Sequence, residues 1–273
     1  MTGACPFCDA ARFETVFVYD APPEGETAFD LPAGSAYHRE FVQCEGCGHF
    51  FSRHKLDLTS LYEREYVTAT YGTDGIRETF ERIRALDPSR SDNAARVARV
   101  RRFAETRFGD RSDPPSLLDV GSGICVFLDR IKHETGWHCT ALDMDPRQVA
   151  HARDVVGVEA VQGAFGEVAG LGRFDVIAFN KVLEHLQEPI AVLARAIEHL
   201  TANGFVYVEV PDGEAAASHG PEREEFFIDH WHAFSERSCR LMAHKAGFEV
   251  AQCESLHEPS GKFTLAAFLV PCR

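Results

Sequence analysis

The sequence has no long apolar run and far fewer basic than acidic residues. No stretch approaches the roughly eighteen consecutive apolar residues that a transmembrane helix needs, so we expect no membrane association. The chain has 28 Lys and Arg against 42 Asp and Glu, which gives a formal net charge of −14. Because proteins that bind nucleic acid normally present a basic face, this charge disfavours DNA and RNA as substrates. The sequence also has no internal repeat and no low-complexity segment, as is typical of a globular protein.

The interpretation of the cysteines depends on the compartment in which the protein is expected. No signal peptide precedes the first cysteine pair, so we expect a cytoplasmic protein, in a compartment where cysteines more often hold metal than form disulfides. Cys5 and Cys8 form one Cys-x-x-Cys pair, and Cys44 and Cys47 form another. This spacing predicts a zinc ribbon whose four thiolates fill the tetrahedron, so the zinc is structural. His49 is then expected to be a neighbour of the site.

The chain divides into three predicted segments. Residues 1–58 form a zinc-ribbon domain with strands expected at 13–19 and 37–43, and residues 59–110 form a tyrosine-rich connector and a helical cap. In residues 111–273, strands and helices alternate, which predicts a mostly parallel sheet with helices on both faces. Strands are expected near 116–120, 138–142, 158–161, 174–179, 205–210, 248–254 and 263–270, and helices from Pro189 and over 236–246.

A glycine turn follows the first strand of the third segment, with the sequence Asp-Val-Gly-Ser-Gly at 119–123. Glycine has no Cβ, so the backbone can turn tightly and approach a ligand closely. The next strand ends in Asp143, whose carboxylate can accept hydrogen bonds from both hydroxyls of a ribose. A dinucleotide site would show Gly-x-Gly-x-x-Gly, but residues 124–127 are Ile-Cys-Val-Phe and contain no third glycine. We therefore expect a nucleotide-type ligand other than a dinucleotide.

The glycine turn, together with the later sequence Phe-Asp-Val-Ile-Ala-Phe-Asn-Lys-Val-Leu-Glu-His-Leu at 174–186, resembles the class I S-adenosylmethionine-dependent methyltransferases. The resemblance covers roughly residues 115–270. It implies a seven-stranded Rossmann-like sheet with a reversed last strand, S-adenosylmethionine as cofactor, and Asp143 on its ribose. Cys125 stands where many relatives carry glycine, and we expect it to narrow the pocket slightly. Because ligands lie beyond the carboxyl ends of the strands, the cofactor-binding candidates are Asp119, Gly121, Ser122, Gly123, Asp143, Met144, Ala164, Phe165 and Asn180, with Met144 and Phe165 placed to pack against adenine.

Candidate acid–base residues follow the fourth and fifth strands of this sheet. His185 comes five residues after Asn180, and His230 lies in a loop rich in charged and aromatic residues. Histidine can take or relay a proton near neutral pH, and Asp229 or Glu225 could orient it. A metal site made by His230, His232 and a carboxylate is a second possibility.

The joint arrangement of ribbon, tyrosine-rich connector and histidine motifs resembles the nucleotide-sugar C-methyltransferases. This resemblance implies that His185, Asp229 with His230, and Tyr66 or Tyr71 line a sugar site. The implied reaction is methylation of carbon after a histidine base removes a proton beside a ketone. Those enzymes typically carry a further C-terminal domain that the sequence does not show, so O- or N-methylation of another metabolite or glycan is an alternative. A non-catalytic zinc-ribbon binding protein with a degenerate core is another, an RNA methyltransferase is disfavoured by charge, and the oligomeric state is left open.

Overall fold

The computed structural model of the protein describes residues 3–26, 36–56, 75–109 and 111–272. Within these ranges the chain forms a four-stranded sheet and a seven-stranded sheet. The helices in the same ranges are all too short or too polar to cross a membrane.

The smaller sheet is antiparallel and brings together two distant parts of the chain. Its order is β1-β2-β3-β9, with β1 at Phe13–Tyr19, β2 at Arg39–Cys44, β3 at Phe50–His54 and β9 at His232–Ala233. Strand β9 pairs with β3 through Phe50 opposite Ala233 and Phe51 opposite His232. The cysteine-rich segment is therefore hydrogen-bonded to the loop in which the sequence placed its histidine candidates.

The larger sheet has the order β10-β11-β8-β7-β4-β5-β6. Strands β4 to β8 run parallel, and β11 lies antiparallel between β8 and β10. The prediction of a seven-stranded Rossmann-like sheet with a reversed last strand is thereby confirmed. The strands are β4 (Ser116–Val120), β5 (His138–Asp143), β6 (Glu159–Gln162), β7 (Phe174–Asn180), β8 (Leu200–Pro211), β10 (Phe248–His257) and β11 (Phe263–Pro271).

Helices cover both faces of the larger sheet. The longest, at 92–108, begins after Ser91, whose hydroxyl accepts a hydrogen bond from the amide of Ala94, and ends at Gly109, where φ is 59°. The helix predicted from Pro189 is present and continues as a 3-10 turn over Ala196–His199. The α-helices are α1 (Gly75–Arg84), α2 (Asp92–Phe108), α3 (Val126–Thr135), α4 (Pro146–His151), α5 (Pro189–Arg195), α6 (Gly213–Ala217) and α7 (Glu236–Lys245).

Alternation of side chains along the strands gives the sheet two buried faces. Leu117, Val176 and Phe205 pack on the face covered by α2 and α3. Leu118 and its counterparts on neighbouring strands pack on the opposite face, in a core that also contains Phe7 of the cysteine-rich segment. Strands buried on both sides are rich in apolar residues, as residues 176–179 of β7 and 205–208 of β8 are. The cysteine-rich segment and the sheet thus share one hydrophobic core.

Candidate functional site

The glycine turn lies at the carboxyl end of β4 and is joined to β5. Gly121 and Gly123 have φ values of 65° and 51°, in the left-handed region that favours glycine. A Cβ on Gly121 would lie 2.8 Å from a methyl carbon of Val182, so a side chain there would also clash. The amides of Gly121 and Ser122 donate to the carbonyl of Leu142 at 2.8 and 3.2 Å, which fixes the turn against β5.

Asp143 ends β5 beside this turn. Its Oδ2 accepts a hydrogen bond from the Gly123 amide at 2.9 Å, and its Oδ1 accepts one from the Asp145 amide, also at 2.9 Å. Burial of the carboxylate raises its pKa. Each oxygen keeps a further lone pair. The carboxylate is therefore held by the backbone and can still accept hydrogen bonds from a ligand.

Asp119 and Asn180 lie on the neighbouring strands β4 and β7, under the turn. The Asn180 side-chain amide donates to Asp119 Oδ1 at 2.7 Å. Burial raises the pKa of Asp119 to about 7, although the Arg96 guanidinium and the Asn180 amide favour its charged form. Asn180 Oδ1 and Ser122 Oγ are buried and have no hydrogen-bond partner among the described residues. Because buried polar atoms are nearly always paired, these two mark a place where a ligand atom is expected.

The remaining cofactor candidates follow β5 and β6 at the same edge of the sheet. Met144 is 72% exposed, next to Asp143. Phe165 is half-buried and packs edge-on against Phe179 at a centroid distance of 5.4 Å, so its ring is also part of the core. Ala164 is half-buried beside it. The structure therefore brings all nine predicted cofactor residues to one edge.

His185 and His230 come together although 45 positions separate them. Their ring centroids are 4.8 Å apart at an angle of 63°. The Nδ1 of His185 lies 2.9 Å from the Asp229 carbonyl, and the Nδ1 of His230 lies 3.0 Å from the Glu225 carbonyl. A carbonyl oxygen can only accept, so both Nδ1 atoms carry a proton. In the neutral rings the lone pair is then on Nε2.

The Asp229 carboxylate lies beside both of these imidazoles. Its Oδ2 is 3.8 Å from His185 Nδ1 and 4.0 Å from His230 Nε2. Burial disfavours its charge, but His230 and His185 outweigh burial and hold the pKa of Asp229 below its usual value. Burial lowers the pKa of His230, against the opposing effect of Asp229. Asp229 and His230 thus each favour the charged form of the other, while burial disfavours both charges.

Glu184 belongs to this cluster and was not among the predicted site residues. It is fully buried, and neither carboxylate oxygen has a hydrogen-bond partner in the ranges that the structure describes. One oxygen or ring nitrogen from each of Glu184, His185 and His230 lies within 4.8 Å of the other two. Its place directly before His185 is the signal that could have identified it.

His232 does not join His230, so the metal set considered from sequence is not formed. His232 is the first residue of β9 and faces the cysteine-rich segment. Its Nδ1 lies 3.0 Å from Nε2 of His49. The other ring nitrogen of His49 lies 3.0 Å from the Ser238 hydroxyl, so His49 is occupied by residues other than cysteine. The histidine that shares a site with His230 is His185.

A buried ionic network beside the site was also missed. Glu209 on β8 forms an ion pair with Arg96 and a second with Arg99 at 2.9 Å, and accepts a hydrogen bond from Tyr207 at 2.5 Å. Although burial disfavours its charge, Arg96 outweighs burial and lowers the pKa of Glu209. The network ties α2 to the carboxyl edge of the sheet, and a single acid within the apolar run of β8 was its only sequence signal.

The four predicted ribbon cysteines are brought together. Cys5 Sγ and Cys47 Sγ are 3.7 Å apart, and Cys8 Sγ and Cys44 Sγ are 3.5 Å apart. Thiolates on one tetrahedral zinc, at Zn–S of about 2.3 Å, would be roughly 3.8 Å apart. The cluster therefore has the dimensions of a thiolate metal site. Tyr66 and Tyr71 lie outside the described residues.

A cavity of about 1010 Å³ is lined by the cysteine-rich segment, by residues 187–190 and by Trp231 and His232. Its wall includes Trp231, the residue after His230, and Gln187, two residues after His185. The Trp231 ring stacks on His54 at a centroid distance of 4.6 Å. The cavity thus has an aromatic residue in its wall, Trp231, which follows His230 directly in the sequence.

This sheet, with a glycine turn after β4 and an acid after β5, defines a class I methyltransferase fold. The chain matches the family model described as "Methyltransferase domain" over residues 89–253, and so it belongs to that family.

Solved methyltransferase structures have the same fold at low sequence identity. The Burkholderia thailandensis 1,6-didemethyltoxoflavin-N1-methyltransferase, with 1,6-didemethyltoxoflavin and S-adenosylhomocysteine bound, is 19% identical, with 93% of this chain and 100% of that chain covered and a TM-score of 0.55. The Synechocystis magnesium protoporphyrin IX methyltransferase with bound S-adenosylhomocysteine is 13% identical. The match covers 79% of this chain and 100% of that chain, with a TM-score of 0.56. A glycopeptide N-methyltransferase complexed with S-adenosylmethionine is 19% identical. The match covers 64% of this chain and 93% of that chain, with a TM-score of 0.50.

Proposed function

We propose that the protein is an S-adenosylmethionine-dependent methyltransferase that acts on a small-molecule acceptor. The observation that carries this proposal is the glycine turn with the Asp143 carboxylate hydrogen-bonded to it, at the same sheet edge where Ser122 Oγ and Asn180 Oδ1 lack partners among the described residues. S-adenosylmethionine or its product is bound in the three methyltransferase structures above, which supports the same cofactor here. The net charge of −14 supports a small acceptor over a nucleic acid.

In this proposal, the glycine turn, Asp143 and Met144 each contact a different part of the cofactor. The free lone pairs of Asp143 accept hydrogen bonds from the ribose hydroxyls, and the turn at 121–123 packs against the methionine part. Met144, largely exposed beside Asp143, covers the adenine. When bound, S-adenosylmethionine supplies an electrophilic methyl group.

His230 is the residue that we propose takes the proton of the acceptor. Its Nδ1 is anchored on the Glu225 carbonyl, and its lowered pKa keeps the ring neutral near pH 7, so the Nε2 lone pair is available. The Asp229 carboxylate, 4.0 Å from Nε2, stabilises the imidazolium that forms. General-base catalysis of this kind contributes about 10²- to 10⁴-fold to a rate. His185 packs against His230 and limits its ring orientations.

A sugar or nucleotide sugar methylated on carbon is the acceptor that we favour. Support comes from the histidine motifs at 184–186 and 229–235, which resemble those of the nucleotide-sugar C-methyltransferases. The cavity of about 1010 Å³ is large enough for a nucleotide sugar, although neither His185 nor His230 lines it. Tyr66 or Tyr71 is proposed to line the sugar site with His185 and His230. O- or N-methylation of another metabolite or glycan is the second candidate, supported by the glycopeptide N-methyltransferase fold.

Zinc bound by Cys5, Cys8, Cys44 and Cys47 is proposed as a structural ion. Sulfur–sulfur distances of 3.5 and 3.7 Å support it, since four thiolates complete a tetrahedron and leave no open position.

Calorimetric titration of zinc-loaded protein with S-adenosylmethionine tests the cofactor, and label transfer from the methyl-labelled cofactor to a panel of keto-deoxysugar nucleotides tests the acceptor. We expect binding with one cofactor per chain and label in at least one sugar. Failure to bind the cofactor would overturn the proposal and favour a non-catalytic zinc-ribbon protein. Binding without transfer to any sugar would leave methyl transfer standing and reject the sugar acceptor.

A further inference from the structure

The group formed by Glu184, His185 and His230 has an unusual property for a cluster that only moves protons. Glu184 is fully buried and its two oxygens have no hydrogen-bond partner within the described ranges. A buried carboxylate without a partner is costly, because it loses its hydration and gains nothing in return. Such a group is retained where a cation or a ligand satisfies it.

The two histidines present the nitrogen atoms that a metal needs. Each Nδ1 is directed to a backbone carbonyl, that of Asp229 for His185 and that of Glu225 for His230, at 2.9 and 3.0 Å. Metal-ligating histidines typically donate their other N–H to a carbonyl or a carboxylate, which fixes the tautomer and the ring orientation. A metal bound at the two Nε2 atoms would leave both of these Nδ1 contacts in place.

Distance and charge complete the set. One ligand atom from each of the three residues lies within 4.8 Å of the others. Ligands of one zinc ion lie about 3–3.5 Å apart, so a closure of about 1–2 Å by side-chain rotation is sufficient. Two imidazoles and one carboxylate form the ligand set of a catalytic-type zinc site or of a facial triad. The nearby Asp229 carboxylate adds a second negative charge.

We propose that Glu184, His185 and His230 bind a divalent transition-metal ion such as zinc, separate from the ion of the four cysteines. If His230 is the base, as proposed above, the bound ion inhibits methyl transfer. The ion takes the Nε2 lone pair that would accept the acceptor's proton, so metal binding and proton acceptance exclude each other. The cluster is thus a site at which a transition-metal ion regulates methyl transfer.

Cobalt(II) titration of protein whose cysteines already hold zinc tests the site directly. We expect one equivalent of Co²⁺ to bind with a d–d spectrum of nitrogen and oxygen ligands and without thiolate charge-transfer bands. Glu184→Gln should weaken this binding at least tenfold. Glu188→Gln, the same change at an exposed position four residues on, should leave it unchanged. Absence of this Co²⁺ equivalent, or equal affinity in Glu184→Gln, would overturn the proposal.

Folding and function are checked separately. Cofactor affinity equal to wild type shows that Glu184→Gln is folded, and His185→Gln provides a second variant that should also lose the Co²⁺ site. Methyl transfer should fall at least tenfold when Co²⁺ or Zn²⁺ fills the site, and a chelator that leaves the cysteine-bound zinc should restore it. Transfer that is unaffected by a bound ion would refute the inhibition. Co²⁺ binding in a protein with no methyl transfer at all would refute the proposed function while the metal site stands.

Discussion

Asp143→Ala is predicted to weaken cofactor binding through the ribose. The carboxylate accepts two backbone amides at 2.9 Å and keeps two lone pairs for hydroxyls, so the substitution removes charge-assisted hydrogen bonds to the ligand. Such bonds are worth about 1–3 kcal/mol, which corresponds to roughly a 5- to 150-fold rise in Kd. Calorimetric titration with S-adenosylhomocysteine measures this change.

The same substitution also frees the amides of Gly123 and Asp145, so part of its effect comes from a loosened turn. A thermodynamic cycle separates the two contributions, using S-adenosylhomocysteine and its analogue lacking the ribose 2′-hydroxyl. In the wild type the analogue should bind more weakly, whereas in Asp143→Ala the two ligands should bind almost equally. An unchanged ratio of the two Kd values would show that Asp143 does not contact the ribose, and would refute the assigned role.

Asp145→Asn is the matched control for this experiment. It removes one negative charge two residues away, where the side chain caps α4 by accepting the Arg147 amide at 2.7 Å. Asparagine caps helices as well as aspartate does. We expect Kd for S-adenosylhomocysteine to change by less than about threefold, since the charge of this half-buried carboxylate is already offset by the Arg147 guanidinium at 2.6 Å. A larger effect would mean that net charge, rather than the position of Asp143, determines affinity.

Three further predictions concern proton transfer, pH and metal. His230→Gln should lower the rate of methyl transfer by about 10²-fold or more and leave cofactor affinity intact, and full activity would place the base elsewhere. Burial raises the pKa of Asp119 to about 7, so folding keeps a proton that the unfolded chain loses near pH 4, and stability falls as pH rises between these values. Denaturant titrations should therefore show Asp119→Asn gaining stability relative to wild type from pH 4 to 7, and a constant difference would refute the shift. Removing the metal of the four cysteines should make residues 3–26 and 36–56 sensitive to protease while circular dichroism of the large sheet persists, and retained resistance would count against structural zinc.

Local sequence patterns predicted the large sheet because its parallel strands are buried on both faces. Apolar runs such as residues 176–179 in β7 and 205–208 in β8 identify such strands without tertiary information. Strand β9 was not predicted. It has two residues and exists because β3 pairs with it, and no local pattern encodes that contact.

The site divides in the same way. The conformation of the glycine turn and the place of Asp143 beside it could be predicted, because both depend on backbone geometry and on position after a strand. The contact between His185 and His230 depends on how a distant loop packs, so only the family resemblance suggested it. Glu209 was missed because it is a single acid in an apolar stretch, and its importance becomes visible only once its ion pairs are known. Glu184 was missed because its complete burial without a partner among the described residues is a property of the tertiary structure.

The pairing of β3 with β9 has a mechanical consequence for catalysis. The Ser52 amide donates to the Trp231 carbonyl at 3.0 Å, so a strand that begins three residues after Cys47 holds the backbone one residue beyond His230. A metal that makes the four-cysteine site rigid would therefore also restrict the position of the His230 imidazole. Substitutions of the cysteines should consequently slow turnover, because His230, the proposed base, would be less well positioned relative to Asp229.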